Sequence, residues 1–155
     1  SLSICCFKKI YFKIDIVMKE KSKNNPNIKE IYKQLEEELA SINPGCNTCG
    51  TCCHFDEFGH VLYTSTIETD YIKDNVEVPS FDPEKNVCPF LVNQECSIRE
   101  HRALGCRVFF CNPHYKETLA EIYEKYYTMI KDLADDNEVE WKYAPMMKML
   151  KEKKA

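Results

Sequence analysis

Eight cysteines fall into one pattern along this chain: Cys46-x-x-Cys49-x-x-Cys52-Cys53, then Cys88, Cys96, Cys106 and Cys111. Thiolate sulfur is a soft donor that suits Zn²⁺, Cu(I) and iron–sulfur clusters. A C-x-x-C step bends the backbone so that both sulfurs face one point, and a third cysteine two residues further on extends the same nest. C-x2-C-x2-C opens the cluster loop of bacterial ferredoxins, where the last cluster cysteine precedes a proline; Cys88-Pro89 echoes that feature. Structural zinc also uses C-x2-C pairs completed by a distant pair. Local spacing therefore points to a soft metal and leaves iron and zinc both open. Neighbouring side chains on an extended chain point to opposite sides. Cys52 and Cys53 are accordingly expected not to share one metal: they serve two sites, or one ligates while the other is buried.

Other residues could support the sulfurs. Four thiolates around Zn²⁺, or around an oxidised four-iron cluster, leave a net negative charge that nearby cations offset. Arg102 and Arg107 lie in the last cysteine segment and are candidate donors to sulfur from outside the ligand set. His54 follows Cys53 and reads as a polar loop residue. His60, His101 and His114 show no HxxxH or HExxH spacing and are expected on the surface.

The pattern as a whole resembles the YkgJ-type CxxCxxCC family, whose members are described as zinc- or iron-chelating proteins. The residues that carry the resemblance are Cys46-Asn-Thr-Cys49-Gly-Thr-Cys52-Cys53, Cys88-Pro-Phe-Leu91, Cys96-Ser-Ile, Glu100-x-Arg102 and Cys106-Arg107, within about residues 44–111. The family commonly has Tyr where Arg99 stands, and Arg-Pro where Arg102-Ala103 stands; neither departure touches a cysteine. Some larger relatives are flagellin lysine methylases, but no methyl-donor or nucleotide loop is present here, so that activity does not carry over. The resemblance implies a metal-binding role and assigns no reaction. The expected cofactor is an iron–sulfur cluster, a 4Fe-4S cluster first, with zinc as the alternative. The zinc reading implies a structural or interaction module, and a soft-metal carrier or sensor is a third possibility. The expected partners are the metal ion or cluster and a protein redox partner.

The bulk numbers fit that reading. The chain has 155 residues, net charge −4 and 44% hydrophobic residues, enough for one compact domain with a core of its own. It lacks a long basic run, which argues against nucleic acid as a partner. Only 4 glycines are present and no GxGxxG or Walker-type run occurs. Ten cysteines would suit disulfides in an exported chain. However, the N-terminal apolar stretch is broken by Lys8, Lys9, Lys13 and Asp15, which makes a poor signal peptide. No apolar run approaches the roughly 18 residues that span a membrane. A reducing, cytoplasmic setting follows as the expectation. Residues 1–17, with Cys5 and Cys6, read as an extension ahead of Met18, a candidate native start. Residues 18–155 read as a single cysteine-rich metal-binding domain.

The expected fold is mainly α: a small helical domain around a cysteine-rich, loop-dominated metal centre, with at most short β-hairpins. Asn27 and Glu30 cap a helix over 27–42 marked by Ile28, Ile31, Leu35, Leu39 and Ile42, which ends at Asn43-Pro44-Gly45. Residues 44–60 read as loop and 61–63 as a short strand. Ser65 and Glu68 form a second capping box opening a helix over 66–74, and Pro79 and Pro83 mark an irregular loop. A small hairpin is expected over 88–96. Ser97 and Glu100 form a third capping box opening a helix that stops at Gly105, and 106–111 is expected to be buried. Asn112-Pro113 starts a long helix to about 134. Trp141, Tyr143 and Pro145 then lead to a short helix over 146–154.

Overall fold

The computed structural model describes residues 27–46 and 49–153. The extension over 1–17, its two cysteines and Met18 lie outside the described residues. The fold is mainly α, with only short antiparallel strand pairs.

Helix α1, Ile28–Ile42, starts where its cap predicts: Asn27 Oδ1 accepts from the Glu30 N–H at 3.1 Å. It ends on Asn43, whose left-handed backbone (φ 43°) stops the helix and delivers the chain into Cys46. The segment expected to be plain loop contains a 3₁₀ turn, Thr51–Cys53, and a one-turn helix α2, Phe55–Phe58.

Strand β1 is Tyr63–Ser65, two residues later than expected. Its partner fixes that register: β4, Tyr143–Pro145, pairs antiparallel with it, Tyr63 facing Pro145 and Ser65 facing Tyr143. Thr64 and Ser65 are fully buried there, while Val61 is 61% exposed. Helix α3, Thr66–Asn75, follows with its capping box complete; the Ser65 hydroxyl accepts from the Glu68 N–H, and the Glu68 carboxyl accepts from the Ser65 N–H at 2.8 Å.

Strands β2, Leu91–Val92, and β3, Glu95–Cys96, form the expected hairpin. Asn93 and Gln94 both adopt positive φ in its two-residue turn, as the right-handed twist of such hairpins favours. The third capping box does not form. Ser97 donates both its N–H (2.9 Å) and its hydroxyl (2.8 Å) to the Phe90 carbonyl, which closes the hairpin and leaves nothing to cap a helix. Instead a 3₁₀ turn, Arg99–His101, leads through an extended Arg102 to a one-turn helix α4, Leu104–Arg107, with Gly105 inside it. The burial expected over 106–111 holds for Arg107 and Val108 only; Phe109 and Cys111 are exposed, because the chain turns outward after α4.

Asn112 caps a 3₁₀ turn, Pro113–Tyr115, accepting from the His114 N–H at 3.0 Å, and this turn runs into α5, Lys116–Asp136. Helix α6, Met146–Lys151, is shorter than expected.

Two apolar clusters result. The first joins α1 and α5 through Ile31, Leu35, Leu39, Ile122, Tyr126 and Ile130. The second contains two of the cysteines, Cys53 and Cys88, with Ile72, Phe90, Ile98 and Met146. Helix α3 stands between them, its Ile67 and Tyr71 packed on the first and Ile72 in the second. No described helix is long and apolar enough to cross a membrane.

Candidate metal centre

All eight cysteines of the pattern line one cavity of about 410 Å³. They reach it from separate pieces of chain: Cys46 and Cys49 after α1, Cys52 and Cys53 on the 3₁₀ turn, Cys88 before the hairpin, Cys96 on β3, Cys106 on α4 and Cys111 in the turn after it. All eight are free thiols.

Backbone contacts hold these pieces in register. The Cys88 N–H donates to the Cys53 carbonyl at 2.9 Å, and His54 and Val87 form an isolated antiparallel bridge. The Leu91 N–H donates to the Cys88 carbonyl at 3.1 Å, and Leu91 faces Cys96 across the hairpin. Gly50 allows the approach from the other side. Its φ of 70° is left-handed, and a Cβ there would collide with the Gln94 carbonyl and stand 3.0 Å from Leu91 Cδ1. Only glycine lets the Cys49–Cys52 loop lie this close to the hairpin turn.

Cys52 and Cys53 face the same cavity, against the expectation from extended chain. The 3₁₀ turn is the reason: adjacent side chains on it are about 120° apart rather than opposed. The Cys53 thiol sits among those of Cys52, Cys88 and Cys96 and interacts with each of them. The Cys53 S–H, shared among these sulfurs, pushes Cys52 and Cys96 down to about 6, with Arg102 adding to both. It lowers Cys88 as well, and Cys53, whose single proton is shared among three neighbouring sulfurs, is held up as a thiol. Burial of its sulfur pushes Cys106 up, although the residue keeps some exposed surface. Cys49 is lowered by the Thr51 hydroxyl, 2.8 Å from its sulfur. Cys111 is raised by partial desolvation and by the neighbouring Cys49, Cys52 and Cys46. The thiolate is the metal-binding form of cysteine, so Cys52 and Cys96 are ready ligands near neutral pH.

The two arginines part company. Arg102 lines the cavity, donates from Nη1 to the Cys106 carbonyl at 3.3 Å, and its charge lowers Cys52, Cys96 and Cys106. Arg107, expected to donate to sulfur, points away. Its Nε donates to the Arg102 carbonyl at 2.8 Å, Nη2 to the Glu100 carbonyl at 2.6 Å and Nη1 to Glu36, and the guanidinium lies over the Tyr32 ring. Arg99, not singled out from the sequence as a site residue, joins Arg102 on the cavity wall and lowers Cys96. The histidines stand outside the wall. His54 Nε2 is 3.4 Å from Gln94 Oε1, and His101 Nδ1 is 3.1 Å from the Tyr71 hydroxyl. His60 and His101, expected on the surface, are half-buried. Phe90, Phe109, Phe110 and Met146 give the cavity an apolar side that no spacing rule in the sequence marks.

The donor set fits a soft metal: eight sulfurs, two of them acidified, with two guanidiniums beside them. Among the described residues, no three His, Cys, Asp or Glu side chains converge closely enough to hold a single metal ion. Comparison with curated proteins and with solved structures gives no match. Comparison with protein families matches residues 45–141, well over half of the chain and all eight cysteines, so the chain belongs to the CxxCxxCC family, described as a "Putative zinc- or iron-chelating domain".

Proposed function

We propose that the cavity carries an iron–sulfur cluster, a 4Fe-4S cluster first, and that the protein has a redox or cofactor-handling role with a protein redox partner in a reducing, cytoplasmic compartment. The observation that carries this reading is the gathering of eight cysteines on the wall of one 410 Å³ cavity. Eight thiolates exceed what one zinc ion takes, and a cluster presents several irons to such a set. When bound, a cluster would supply one-electron chemistry. The chain's own contribution is to hold the thiolates, to offset their charge with Arg99 and Arg102, and to exclude water with Phe90 and Met146. A cation beside the sulfurs raises the potential at which a cluster accepts an electron, whereas a dry wall lowers it by disfavouring the more negative reduced form.

The thiol group centred on Cys53 favours a second reading, zinc held as a structural or interaction centre. Anaerobic purification separates the two. A brown protein with iron and acid-labile sulfide in equal amounts is the expected result. A colourless, zinc-replete protein from the same preparation overturns the cluster.

A further inference from the structure

A second recess of about 460 Å³ opens beside the metal cavity, and Arg99 and Arg102 line both. Its volume falls among those of small-molecule sites, roughly 300–1,000 Å³. The wall carries charges of both signs. Arg99 and Glu100 come from one 3₁₀ turn, Arg102 from the extended residue after it, and Glu36 from α1. Glu36 is committed to Arg107. Arg99, Arg102 and Glu100 enter no ion pair among the described residues, so opposite charges border one space without closing on each other. Arg102 gives Nε to the Arg99 carbonyl at 3.0 Å and Nη1 to the Cys106 carbonyl at 3.3 Å. A guanidinium has five N–H donors, so these bonds fix its plane and leave others for a ligand. Helix α1 meets the recess with Leu39, Ala40 and its cap Asn43, and its last turn has no basic residue. The negative end of the helix dipole therefore adds to Glu100 in favouring a cation there. Phe110, half-buried, gives the recess an apolar wall.

We propose that the recess binds a small α-amino carboxylate with an apolar side chain: its carboxylate on Arg99 and Arg102, its ammonium on Glu100, and its side chain against Phe110. A carboxylate accepts charge-assisted hydrogen bonds from guanidinium N–H groups. Phosphate would meet Glu36 and Glu100, and a plain amine would meet the arginines; a zwitterion satisfies both signs. The inference stands on the recess and not on which metal fills the cavity next to it. Arg102 joins the two spaces. A carboxylate on its guanidinium weakens its field at the sulfurs, so occupancy of the recess is felt at the metal.

The test titrates the full chain, prepared anaerobically with its metal, by isothermal calorimetry. The probes are leucine and phenylalanine, the acid and the amine left when each loses its other charged group, and inorganic phosphate. The tighter of the two amino acids should bind one-to-one, and its own acid, its own amine and phosphate should each bind about tenfold or more weaker. Arg99→Gln and Glu100→Gln should each weaken it by about tenfold or more; both positions are exposed, so the fold is kept. In a brown protein the bound amino acid should also lower the midpoint potential, as neutralising Arg102 requires. Binding of neither amino acid, equal binding of the acid or amine alone, tighter binding of phosphate, or undiminished binding in both variants would overturn the proposal. Binding that leaves the potential of a brown protein unmoved puts the ligand away from Arg102 and overturns it as well. A colourless protein that binds the amino acid fails the cluster and keeps the recess; a brown protein that binds neither does the reverse.

Discussion

Arg107 donates to the Arg102 and Glu100 carbonyls at 2.8 and 2.6 Å and carries its guanidinium 3.9 Å from the Tyr32 ring centroid, almost wholly out of solvent. Its removal would leave both carbonyls without their donor. Arg107→Ala is expected to destabilise the fold by about 3 kcal/mol, read by urea denaturation, with Arg107→Lys recovering only part because an ammonium cannot serve three acceptors in a plane. Arg102 belongs to the sulfurs. Removing its charge makes a reduced, more negative cluster harder to form, so Arg102→Ala should lower the midpoint potential in an anaerobic redox titration; an unchanged potential would count against its role. The sequence marked both arginines as near the cysteines but could not orient them. Their directions depend on the extended residue Arg102 and the single turn of α4, where spacing implied a continuous helix to Gly105. The same gap between spacing and backbone explains Cys52 and Cys53, read as opposed and found side by side on a 3₁₀ turn.

At the scale of elements, one carboxyl ties three helices together. Glu68 Oε2 accepts from the Ser65 N–H and hydroxyl at the start of α3, while Oε1 accepts from the Leu104 N–H at the start of α4 (2.7 Å) and from the Tyr32 hydroxyl on α1 (3.3 Å). The capping box was legible in Ser65-x-x-Glu68; the reach to α1 and α4 was not, since both partners lie 36 residues away. Glu68→Ala should therefore lose more than a cap, about 3 kcal/mol or more against ~1 for a cap alone, in thermal or urea unfolding. The α1–α5 pairing carries a pH signature. Glu38 accepts hydrogen bonds from Lys125 and Tyr126, and these hold its carboxyl below the usual range. A depressed carboxyl contributes stability above its unfolded pKa and loses it as pH falls through the folded one. The stability difference between the parent and Glu38→Gln should accordingly be present at pH 7 and shrink below about pH 4. Helices α1, α3 and α5 were readable because caps and apolar repeats are local. Strand β4 was not, because its only warrant is a partner about eighty residues earlier.

For the molecule as a whole, the two apolar clusters divide the labour. The α1–α5 cluster contains no cysteine, whereas the other is built partly from Cys53 and Cys88. A structural metal in a thiolate site contributes roughly 10–16 kcal/mol, as much as an entire domain's ~5–15 kcal/mol. Metal removal is therefore expected to loosen residues 44–60 and 86–112 while α1 and α5 stay protected, a pattern that hydrogen exchange read by mass spectrometry would display segment by segment; uniform loss of protection would show that the clusters unfold together. The mainly α class, the eight-cysteine set and the family were all legible in the sequence. The closing wall was not. Met146 carries no ligand chemistry, yet it is 2% exposed on the cavity wall, held there by its N–H to the Leu62 carbonyl at 2.8 Å. Met146 also follows every one of the eight cysteines in the chain. During synthesis, then, all eight cysteines are made before the residue that completes the apolar side of their cavity.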